Sequence, residues 1–495
     1  MTTDMSLRDL LAGVVEPVAD DIVVSGLTLD SRRVRPGDAF VALKGGTTHG
    51  MDFMPMAIER GAVAILAESP DAARVPSPAS RVPVLQIDNL RQHLGTIAAR
   101  FFGDPSSSLT LLGVTGTNGK TSTVQMLSHA LHLLGHASAS IGTLGVGFDG
   151  ALEAGERTTP DVISVHAQLA ALRDAGASHV AMEVSSHALD QHRVDGVQFK
   201  LAVFTNLTRD HLDYHGTMQA YGEAKARLFA WPTLEAAVIN IDDAFGRELA
   251  ARIGDRVACL RTSVDGQADA GVRATHVHAL ASGLDFHLHT PWGEGDVQSP
   301  LLGRFNVANL LAVAACLGAL GESFERIVEV LGRLQPVNGR MSRLGGHDGA
   351  PLLVVDYSHT PDALEQALAS LRAHCAGRLI CVFGCGGDRD AGKRPEMGAI
   401  AERLADCIIV TDDNPRSEDG DAIVADILAG LSRRDAARVR RDRAQAIAQA
   451  LDMARPEDVI LVAGKGHETY QEVAGERRPF DDMAVARAAM EARPC

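Results

Sequence analysis

Residues 113–122, with the sequence GVTGTNGKTS, constrain the fold more than any other stretch of this chain. An apolar run at 109–114 precedes the motif and suits a buried parallel strand. A helical pattern follows at once, with apolar side chains at Val124, Leu127, Leu131 and Leu134. A strand, a glycine-rich turn, Lys-Thr and a helix form the layout of a phosphate-binding loop, where backbone N–H groups and a helix N-terminus meet phosphate oxygens.

In such a loop Lys120 reaches the terminal phosphates and the Thr121 hydroxyl ligates Mg²⁺. The strict pattern G-x-x-x-x-G-K-[ST] requires glycine at position 114, where this chain has Val114. The remaining variant, G-T-N-G-K-T, still predicts a site for ATP or GTP. A glycine-rich turn that binds no ligand is the alternative reading.

The composition is typical of a globular enzyme. A length of 495 residues predicts about three domains. A net charge of −16 argues against a nucleic-acid partner, and no apolar run is long enough to span a membrane. The N-terminal sequence has no export signal, and the seven cysteines form no C-x-x-C pair. We therefore expect a soluble cytoplasmic protein with free thiols, and we expect it to be a monomer.

Two breaker-rich stretches, 101–110 and 334–344, divide the chain into three segments. We place the domains at 1–106, 107–337 and 338–495. The middle segment alternates predicted strands with predicted helices, the strands at 109–115, 137–141, 179–184, 201–206 and 236–240 and the helices at 120–134, 162–175, 217–229 and 306–320. Four apolar runs in the third segment repeat this pattern: LLVVDYS, LICVFGC, CIIVTDD and VILVAGKG. The fold class is therefore α/β with mainly parallel sheets, whose binding crevices lie beyond the carboxyl ends of the strands.

Lysine is scarce in this chain, which has only six lysines among 47 basic residues. Where arginine serves most cationic roles, a remaining lysine can be one whose amine chemistry arginine cannot supply. Lys120 fits that description, and Lys225 lies in YGEAKARLF on a predicted helix with an apolar face. Burial would favour its neutral amine, which can add CO₂ and become a carbamate ligand for Mg²⁺. An ordinary surface lysine is the alternative.

Polar clusters follow the predicted strands. Glu183 ends one strand and is placed to hold Mg²⁺, and His211 lies in a dense polar stretch after the next. In the third segment, four strand ends carry further clusters that contain Asp356, Arg389, Asp413 to Arg416, and Lys465 to Glu468. Since parallel strands end at one edge, these clusters predict a second part of a site.

The motifs TGTNGKTS, MEVSSHAL, NLTRDHLDYHG, YGEAKARLF, GRFNVANLLA, DYSHTPDAL, GCGGDRDAGKRP, DDNPR and GKGHE, in this order, resemble those of the Mur ligase family. This resemblance implies a small uridine-nucleotide-binding domain, a central ATPase and a C-terminal Rossmann-like domain. It also implies that residues along the chain hold ATP: Gly116, Thr117, Asn118, Gly119, Lys120, Thr121, Ser122, Asn306, Asn309, Arg340 and Asp356. The implied metal ligands are Thr121 and Glu183 for one Mg²⁺, and His211 and a carbamylated Lys225 for another. The implied catalytic residues are Lys120, Glu183, His211 and Lys225.

The resemblance further implies a UDP-N-acetylmuramoyl-L-alanyl-D-glutamate site, formed by Leu29, Ser31, Gly46, Thr47, Thr48, Arg157, Thr158, Thr159, Ser185, Gln191 and Arg193. Arg157 departs from the small polar residue expected at its position. The DNPR sequence is similar to that of members that add meso-diaminopimelate, whose extra carboxylate suits Arg416. The rest of that pocket would be Arg389, Asp413, Asn414, Pro415, Gly464 and Glu468.

The implied reaction is an ATP-dependent ligation of meso-diaminopimelate to the D-glutamate, through an acyl phosphate, in peptidoglycan precursor synthesis. That role would tie the chain to cell-wall biogenesis, cell shape and cell division. A sister ligase that adds L-lysine or D-Ala-D-Ala, or one like folylpolyglutamate synthase, is an alternative. A nucleotide-dependent switch and an inactive scaffold are alternatives from other classes. The switch would leave the clusters of the third segment unexplained, and the retained Lys120, Glu183, His211 and Lys225 argue against the scaffold.

Overall fold

The structure is a computed structural model that describes residues 4–15, 22–46, 48–69, 82–155, 157–280, 282–347, 349–433, 435 and 437–492. The chain divides into two compact units, an N-terminal unit, Met1–Leu260, and a C-terminal unit, Arg261–Cys495. Among the described residues, no helix combines the length and the apolar character needed to cross a bilayer.

The N-terminal unit begins with a four-stranded parallel sheet of order β3-β4-β5-β6. Leu27, Ala39 and Leu66 of this sheet pack with Leu94 and Ile97 of a helix in one buried cluster. The elements of this part are β1 Met5–Ser6, α1 Leu7–Leu10, β2 Val23–Val24, β3 Gly26–Thr28, β4 Asp38–Ala42, α2 Met54–Glu59, β5 Ala64–Glu68, β6 Val84–Ile87 and α3 Leu90–Phe101.

The second sheet of this unit has parallel strands in the order β8-β11-β7-β12-β13, and β9 and β10 extend it as an antiparallel hairpin. Its central strand, β7, is mainly apolar and is buried from its second residue onward, as expected where both faces are covered. The elements are β7 Thr110–Thr115, α4 Lys120–Leu133, β8 Ser138–Gly142, β9 Gly145–Phe148, β10 Ala151–Glu153, α5 Val162–Asp174, β11 His179–Glu183, α6 Ser186–Asp190, β12 Leu201–Phe204, α7 Leu212–His215, α8 Met218–Ala226, β13 Ala236–Asn240 and α9 Ala244–Ile253. β14, Ala258–Ser263, runs through the boundary between the units.

The C-terminal unit contains an antiparallel meander and a six-stranded sheet. The meander has β15 Val272–Leu280, β16 Gly283–Thr290 and β17 Gly293–Ser299, followed by α10 Arg304–Ala319 and α11 Phe324–Arg333. The sheet has the order β18-β19-β23-β20-β21-β22, parallel except for β18. Its elements are β18 Ser342–Gly345, β19 Leu352–Asp356, α12 Pro361–Arg372, β20 Leu379–Phe383, α13 Lys393–Leu404, β21 Cys407–Val410, α14 Gly420–Ala429, β22 Ala437–Val439, α15 Arg443–Met453, β23 Val459–Ala463, β24 Tyr470–Val473, β25 Glu476–Pro479 and α16 Asp482–Glu491.

The α/β class with parallel sheets is confirmed, and each predicted strand and helix of the middle segment is present within a few residues. The hairpin β9–β10, the meander β15–β17 and the hairpin β24–β25 were not predicted. The described cysteines are free, as expected. The three-part division at 106 and 337 stays a prediction.

Candidate active site

The glycine-rich loop that we expect to bind phosphate connects β7 to α4 in the N-terminal unit. Gly116 and Gly119 both have positive φ, +148° and +85°, and a Cβ at Gly116 would overlap the Thr205 hydroxyl. No side chain caps the first turn of α4, which begins at Lys120. Its N–H groups are therefore placed as in an anion-binding helix terminus. Asn118 lies in the same loop. Its N–H donates to Asn206 Oδ1 at 2.9 Å, and this hydrogen bond fixes its position.

Val114 lies inside β7 and not in the loop. It is fully buried and stands in register with Glu183 on β11 and Val203 on β12. A glycine there would remove core packing without shaping the loop. This explains why the shorter motif is sufficient.

Glu183 and Thr121 form a buried oxygen pair at the carboxyl end of the sheet. The Thr121 hydroxyl donates to Glu183 Oε2 at 3.0 Å, and Thr143 N donates to Oε1 at 2.8 Å. Glu183 is 1% exposed. A hydroxyl and a carboxylate at this separation are hard oxygen ligands of the type Mg²⁺ prefers, so the residues fit the expected ion.

Two lysines converge on one carbonyl of the loop. Lys120 Nζ donates to Gly116 O at 2.9 Å, and Lys225 Nζ donates to the same oxygen at 2.8 Å. Lys225 is 1% exposed. Burial, and then the nearby charge of Lys120, lowers the pKa of Lys225 well below its usual value. The neutral amine, which is the form that reacts with CO₂, is thereby favoured.

His211 and Lys225 both lie near the ring of Tyr221. Its ring centroid is 6.0 Å from that of Tyr221, and Lys225 Nζ is 4.2 Å from the same ring. His211 has φ +53° and also contacts His187, with ring centroids 4.8 Å apart. Burial, followed by the charges of His211 and His215, lowers the pKa of His187. The structure therefore brings both residues of the expected second metal pair near Tyr221.

The residues expected to contact the muramyl-dipeptide surround the end of β11. Thr159 Oγ1 donates to Glu183 O at 2.9 Å and accepts from Ser185 N at 3.1 Å. Arg193 Nη1 donates to Thr159 O at 3.1 Å, and Nε donates to Gln191 Oε1 at 3.0 Å. Thr158 joins this group because its hydroxyl accepts a hydrogen bond from Thr143 at 3.0 Å.

The charges of two arginines interact in this region. Burial first, and then the charge of Arg157, holds the pKa of Arg193 below its ordinary value. Arg157 itself is exposed. The departure at position 157 therefore adds a positive charge that acts on Arg193 and favours an anionic ligand.

The residues expected at the uridine nucleotide are more scattered. Leu29 lines a cavity of about 710 Å³, together with Asp30, Arg32, Arg33, Arg60 and Asp161. Ser31 is buried and donates to Met56 Sδ at 3.5 Å. Gly46 and Thr48 lie in an exposed turn, and Thr47 lies outside the described residues. Of the described members of this set, Leu29 alone lines the cavity.

The remaining expected nucleotide contacts belong to the C-terminal unit. Asn306 and Asn309 are buried on α10, where Asn309 Nδ2 donates to Asn306 Oδ1 at 2.9 Å. Asp356 ends β19 and accepts from Met341 N at 2.8 Å, and burial raises its pKa. The Arg340 guanidinium lies 4.8 Å above the Tyr357 ring, and its buried Nε has no hydrogen-bond partner in the described chain.

The four predicted strand ends of this unit lie side by side, because β19, β23, β20 and β21 are parallel neighbours. Asn414 is the centre of a buried network: its Nδ2 donates to Glu468 Oε2 at 2.8 Å, and its Oδ1 accepts from Lys465 Nζ at 3.1 Å. Lys465 Nζ also donates to Glu468 Oε2 at 3.1 Å. Burial raises the pKa of the adjacent Asp413, and Gly464, with φ +116°, leaves no room for a Cβ beside that carboxylate.

Arg416 is held in an unusual backbone conformation next to this network. Its φ is +53°, and the hairpin β24–β25 fixes it: Arg416 N donates to Glu472 O at 3.0 Å and Ala474 N donates to Arg416 O at 2.7 Å. Its Nη1 donates to Gly387 O at 2.6 Å. A Cβ built on Gly386 would meet Arg416 Nη1 at 2.9 Å and Arg389 Cγ at 3.9 Å, so the two arginines flank one glycine. Pro415, before Arg416, is buried.

Three residues contribute to the site although the sequence alone assigned no role to them. Thr143 donates to Glu183 from a turn that no motif marks. Lys465 was noticed as a scarce lysine but given no role, and its full burial was the missing signal. The Glu472 N–H donates to Asn414 Oδ1 at 2.9 Å from a hairpin with no recognised sequence signal.

Comparison with known proteins identifies the class. The chain matches the Mur ligase family catalytic domain at residues 23–102, the Mur ligase middle domain at 114–317 and the Mur ligase glutamate ligase domain at 339–466. The chain belongs to the Mur ligase family.

Individual relatives have more specific names. A protein of Xanthomonas campestris pv. campestris (strain 8004), 60% identical over 99% of this chain and 98% of its own length, is named UDP-N-acetylmuramoyl-L-alanyl-D-glutamate--2,6-diaminopimelate ligase. A protein of the same name from Xylella fastidiosa (strain 9a5c) is 56% identical over 99% of this chain and 98% of its own length. A solved structure of that name has a TM-score of 0.75 and 35% identity, and covers 99% of both chains.

Proposed function

We propose that this chain is an ATP-dependent ligase that joins meso-diaminopimelate to the D-glutamate of UDP-N-acetylmuramoyl-L-Ala-D-Glu. The observation that carries this assignment is the network at the strand ends of the C-terminal unit. Two arginines, Arg389 and Arg416, lie near one glycine, and Glu468 offers a carboxylate that accepts a hydrogen bond from Asn414. A diamino acid with a carboxylate at its far end supplies the matching charges, and L-lysine lacks that carboxylate.

The first step activates the D-glutamate γ-carboxylate. One carboxylate oxygen attacks the γ-phosphorus of ATP, ADP leaves, and an acyl phosphate forms. Gly116 to Ser122 hold the phosphates, with Asn306, Asn309, Arg340 and Asp356 as further nucleotide contacts, and Lys120 balances charge on the transferring group. Thr121 and Glu183 would hold one Mg²⁺, which would supply positive charge to neutralise the phosphates.

In the second step, an amino group of meso-diaminopimelate attacks the acyl carbon, phosphate leaves, and the nitrogen loses a proton to give the amide. Arg193 and Arg157 hold the anionic muramyl-dipeptide, helped by Thr158, Thr159, Ser185 and Gln191. Arg389, Asp413, Asn414, Pro415, Arg416, Gly464 and Glu468 hold the amino acid. Leu29, Ser31, Gly46, Thr47 and Thr48 hold the uridine nucleotide.

His211 and Lys225 hold a second Mg²⁺ in this proposal, with Lys225 as a carbamate. The burial of Lys225 and its lowered pKa support the modification, since CO₂ adds to the neutral amine. The substrates are small molecules, and we place the reaction in the cytoplasm, where ATP and nucleotide-linked precursors are found. The protein acts as a monomer.

A product assay tests the assignment. With ATP, Mg²⁺ and UDP-N-acetylmuramoyl-L-Ala-D-Glu, the protein should form the tripeptide product with meso-diaminopimelate much faster than with L-lysine. Equal rates with both amino acids would contradict the assigned specificity. Steady phosphate release without any amino acid would instead indicate a nucleotide switch.

A further inference from the structure

Four side chains of the kinds that bind metal ions lie on the β16–β17 hairpin, which contains none of the residues assigned above. His287 and His289 alternate with the buried Phe286 and Leu288, so both histidines lie on the outer face of β16. In the antiparallel register, Asp296 faces His287 and Glu294 faces His289. We call His287, His289, Glu294 and Asp296 the histidine cluster.

The cluster is already organised by hydrogen bonds. His287 Nδ1 lies 2.6 Å from Asp296 Oδ1, and His289 Nδ1 lies 3.0 Å from Glu294 Oε2. The Thr275 hydroxyl of β15 lies 3.1 Å from His289 Nε2. The two imidazole rings are 4.8 Å apart between centroids. Orientation of ligand imidazoles by neighbouring polar groups is typical of metal sites.

Ligand atoms of His287, His289 and Glu294 all lie within 4.8 Å of one another, the one such group found among the described residues. Ligands at the corners of a tetrahedral zinc site are about 3.4 Å apart, given bond lengths near 2.0–2.1 Å. Side-chain rotation can supply this contraction, because the His287 and His289 side chains are 30% and 22% exposed and Glu294 is 69% exposed.

We propose that the histidine cluster binds one divalent transition-metal ion, with His287, His289 and Glu294 as ligands and Asp296 orienting His287. Imidazole nitrogens favour Zn²⁺, Cu²⁺ or Ni²⁺ over Mg²⁺, which prefers oxygen ligands alone. The two carboxylates balance the charge of the ion. Arg273 faces His289 from β15, and its positive charge opposes the binding of a cation. Its guanidinium donates to Ala270 O at 3.3 Å.

Titration of the full chain with Zn²⁺, in buffer with excess Mg²⁺, tests the site by calorimetry. The parent should bind one Zn²⁺ that is lost in the double variant His287→Asn/His289→Asn and weakened in Glu294→Gln. The matched control, His276→Asn/His278→Asn on β15, removes two exposed histidines of the same sheet and should keep that ion. Unchanged zinc stoichiometry in the first double variant, or no zinc bound by the parent, would overturn the proposal.

Spectroscopy with Cu²⁺ provides a second measurement that does not depend on stoichiometry. Electron paramagnetic resonance of the parent with one equivalent of Cu²⁺ should show coupling to two imidazole nitrogens, and Glu294→Gln should keep that coupling while binding weakens. A spectrum that is the same in His287→Asn and in the parent would contradict the ligand set. The site lies outside the proposed catalytic machinery, so ligase rates of all these variants should equal the parent's.

Discussion

Lys225 is a buried lysine whose Nζ donates to a backbone carbonyl, Gly116 O, at 2.8 Å. If its carbamate supplies an oxygen ligand for Mg²⁺, Lys225→Ala should lose activity by about 100-fold or more. Short carboxylates such as acetate should restore part of the loss, because they can supply the missing oxygen in the space the side chain leaves. Initial rates with and without acetate measure this.

Lys200→Ala is a suitable comparison for that variant, since Lys200 is partly exposed and pairs with Glu235 at 3.6 Å. It should keep parental activity and show no response to acetate. Full activity of Lys225→Ala would show that the amine serves only to pack against Tyr221.

Arg416 is predicted to grip the far carboxylate of meso-diaminopimelate. Arg416→Ala should raise the KM for the amino acid by about 100-fold, because a partly buried charge pair is lost, and should leave the KM for ATP nearly unchanged. Steady-state kinetics with each substrate varied in turn separates the two effects. Unchanged kinetics with meso-diaminopimelate would remove the basis for this specificity.

The polar residues named above were predictable to different degrees. Lys120, Thr121 and Glu183 follow from a motif and a strand end, because those roles depend on local sequence. The left-handed backbone of Arg416 was not predictable, since Glu472 and Ala474, far along the chain, hold it. Lys465 likewise gains its importance from contacts with Asn414 and Glu468 that only the folded sheet creates.

At the scale of elements, the end of β23 places Lys465 against Asn414 and Glu468, two residues of the pocket that we propose for the amino acid. Lys465→Met leaves Glu468 and Asn414 without their buried donor, so kcat/KM for meso-diaminopimelate should fall about 10- to 100-fold. Lys465→Arg should recover part of that loss if charge is what matters. The KM for ATP should change little in both variants.

Asp458→Asn supplies the control for a general loss of stability in this unit. It breaks the ion pair between the buried Asp458 and the partly exposed Arg378, 2.7 Å apart, at the opposite end of β23. This variant should melt at a lower temperature with an unchanged KM for meso-diaminopimelate. A similar KM change in Asp458→Asn and Lys465→Met would indicate a purely structural role for Lys465.

Helix α5 carries a buried histidine that should make stability depend on pH. His166 is fully buried, its Nε2 lies 2.9 Å from Asp195 O, and burial lowers its pKa below 6.5. The unfolded chain therefore takes up a proton at a higher pH than the folded chain does. This contribution to stability is present above the unfolded pKa and is lost as the pH falls through the folded pKa.

Melting temperatures of the parent and of His166→Gln, measured between about pH 7.5 and about pH 5.5, test whether His166 lowers the stability on acidification. The parent should lose more stability on acidification than the variant does, although other buried histidines such as His374 contribute in the same direction. An equal or steeper loss in His166→Gln would show that His166 does not cause the dependence.

On the scale of the whole molecule, apolar periodicity predicted the parallel sheets, and ordered motifs predicted the family. The missed β-elements have different reasons. In β16, Asp285, His287 and His289 alternate with buried apolar residues, which is the pattern of a half-buried strand and was not recognised, whereas the hairpin β24–β25 is short and largely exposed. Strands of this kind are stabilised by their cross-strand partners, which a single sequence does not reveal.

The complete reaction should pass through an acyl phosphate that a foreign amine can intercept. With ATP, Mg²⁺ and UDP-N-acetylmuramoyl-L-Ala-D-Glu but no amino acid, added hydroxylamine should yield a hydroxamate of the D-glutamate side chain, because a small nucleophile can attack the activated carbonyl. Mass spectrometry of the nucleotide product detects it.

Lys120→Ala should form little hydroxamate, since it cannot balance charge during phosphoryl transfer. Arg416→Ala should form as much as the parent, because its loss affects only the amino acid that hydroxylamine replaces. Absence of hydroxamate from the parent, under conditions where the full reaction proceeds, would contradict a stepwise mechanism.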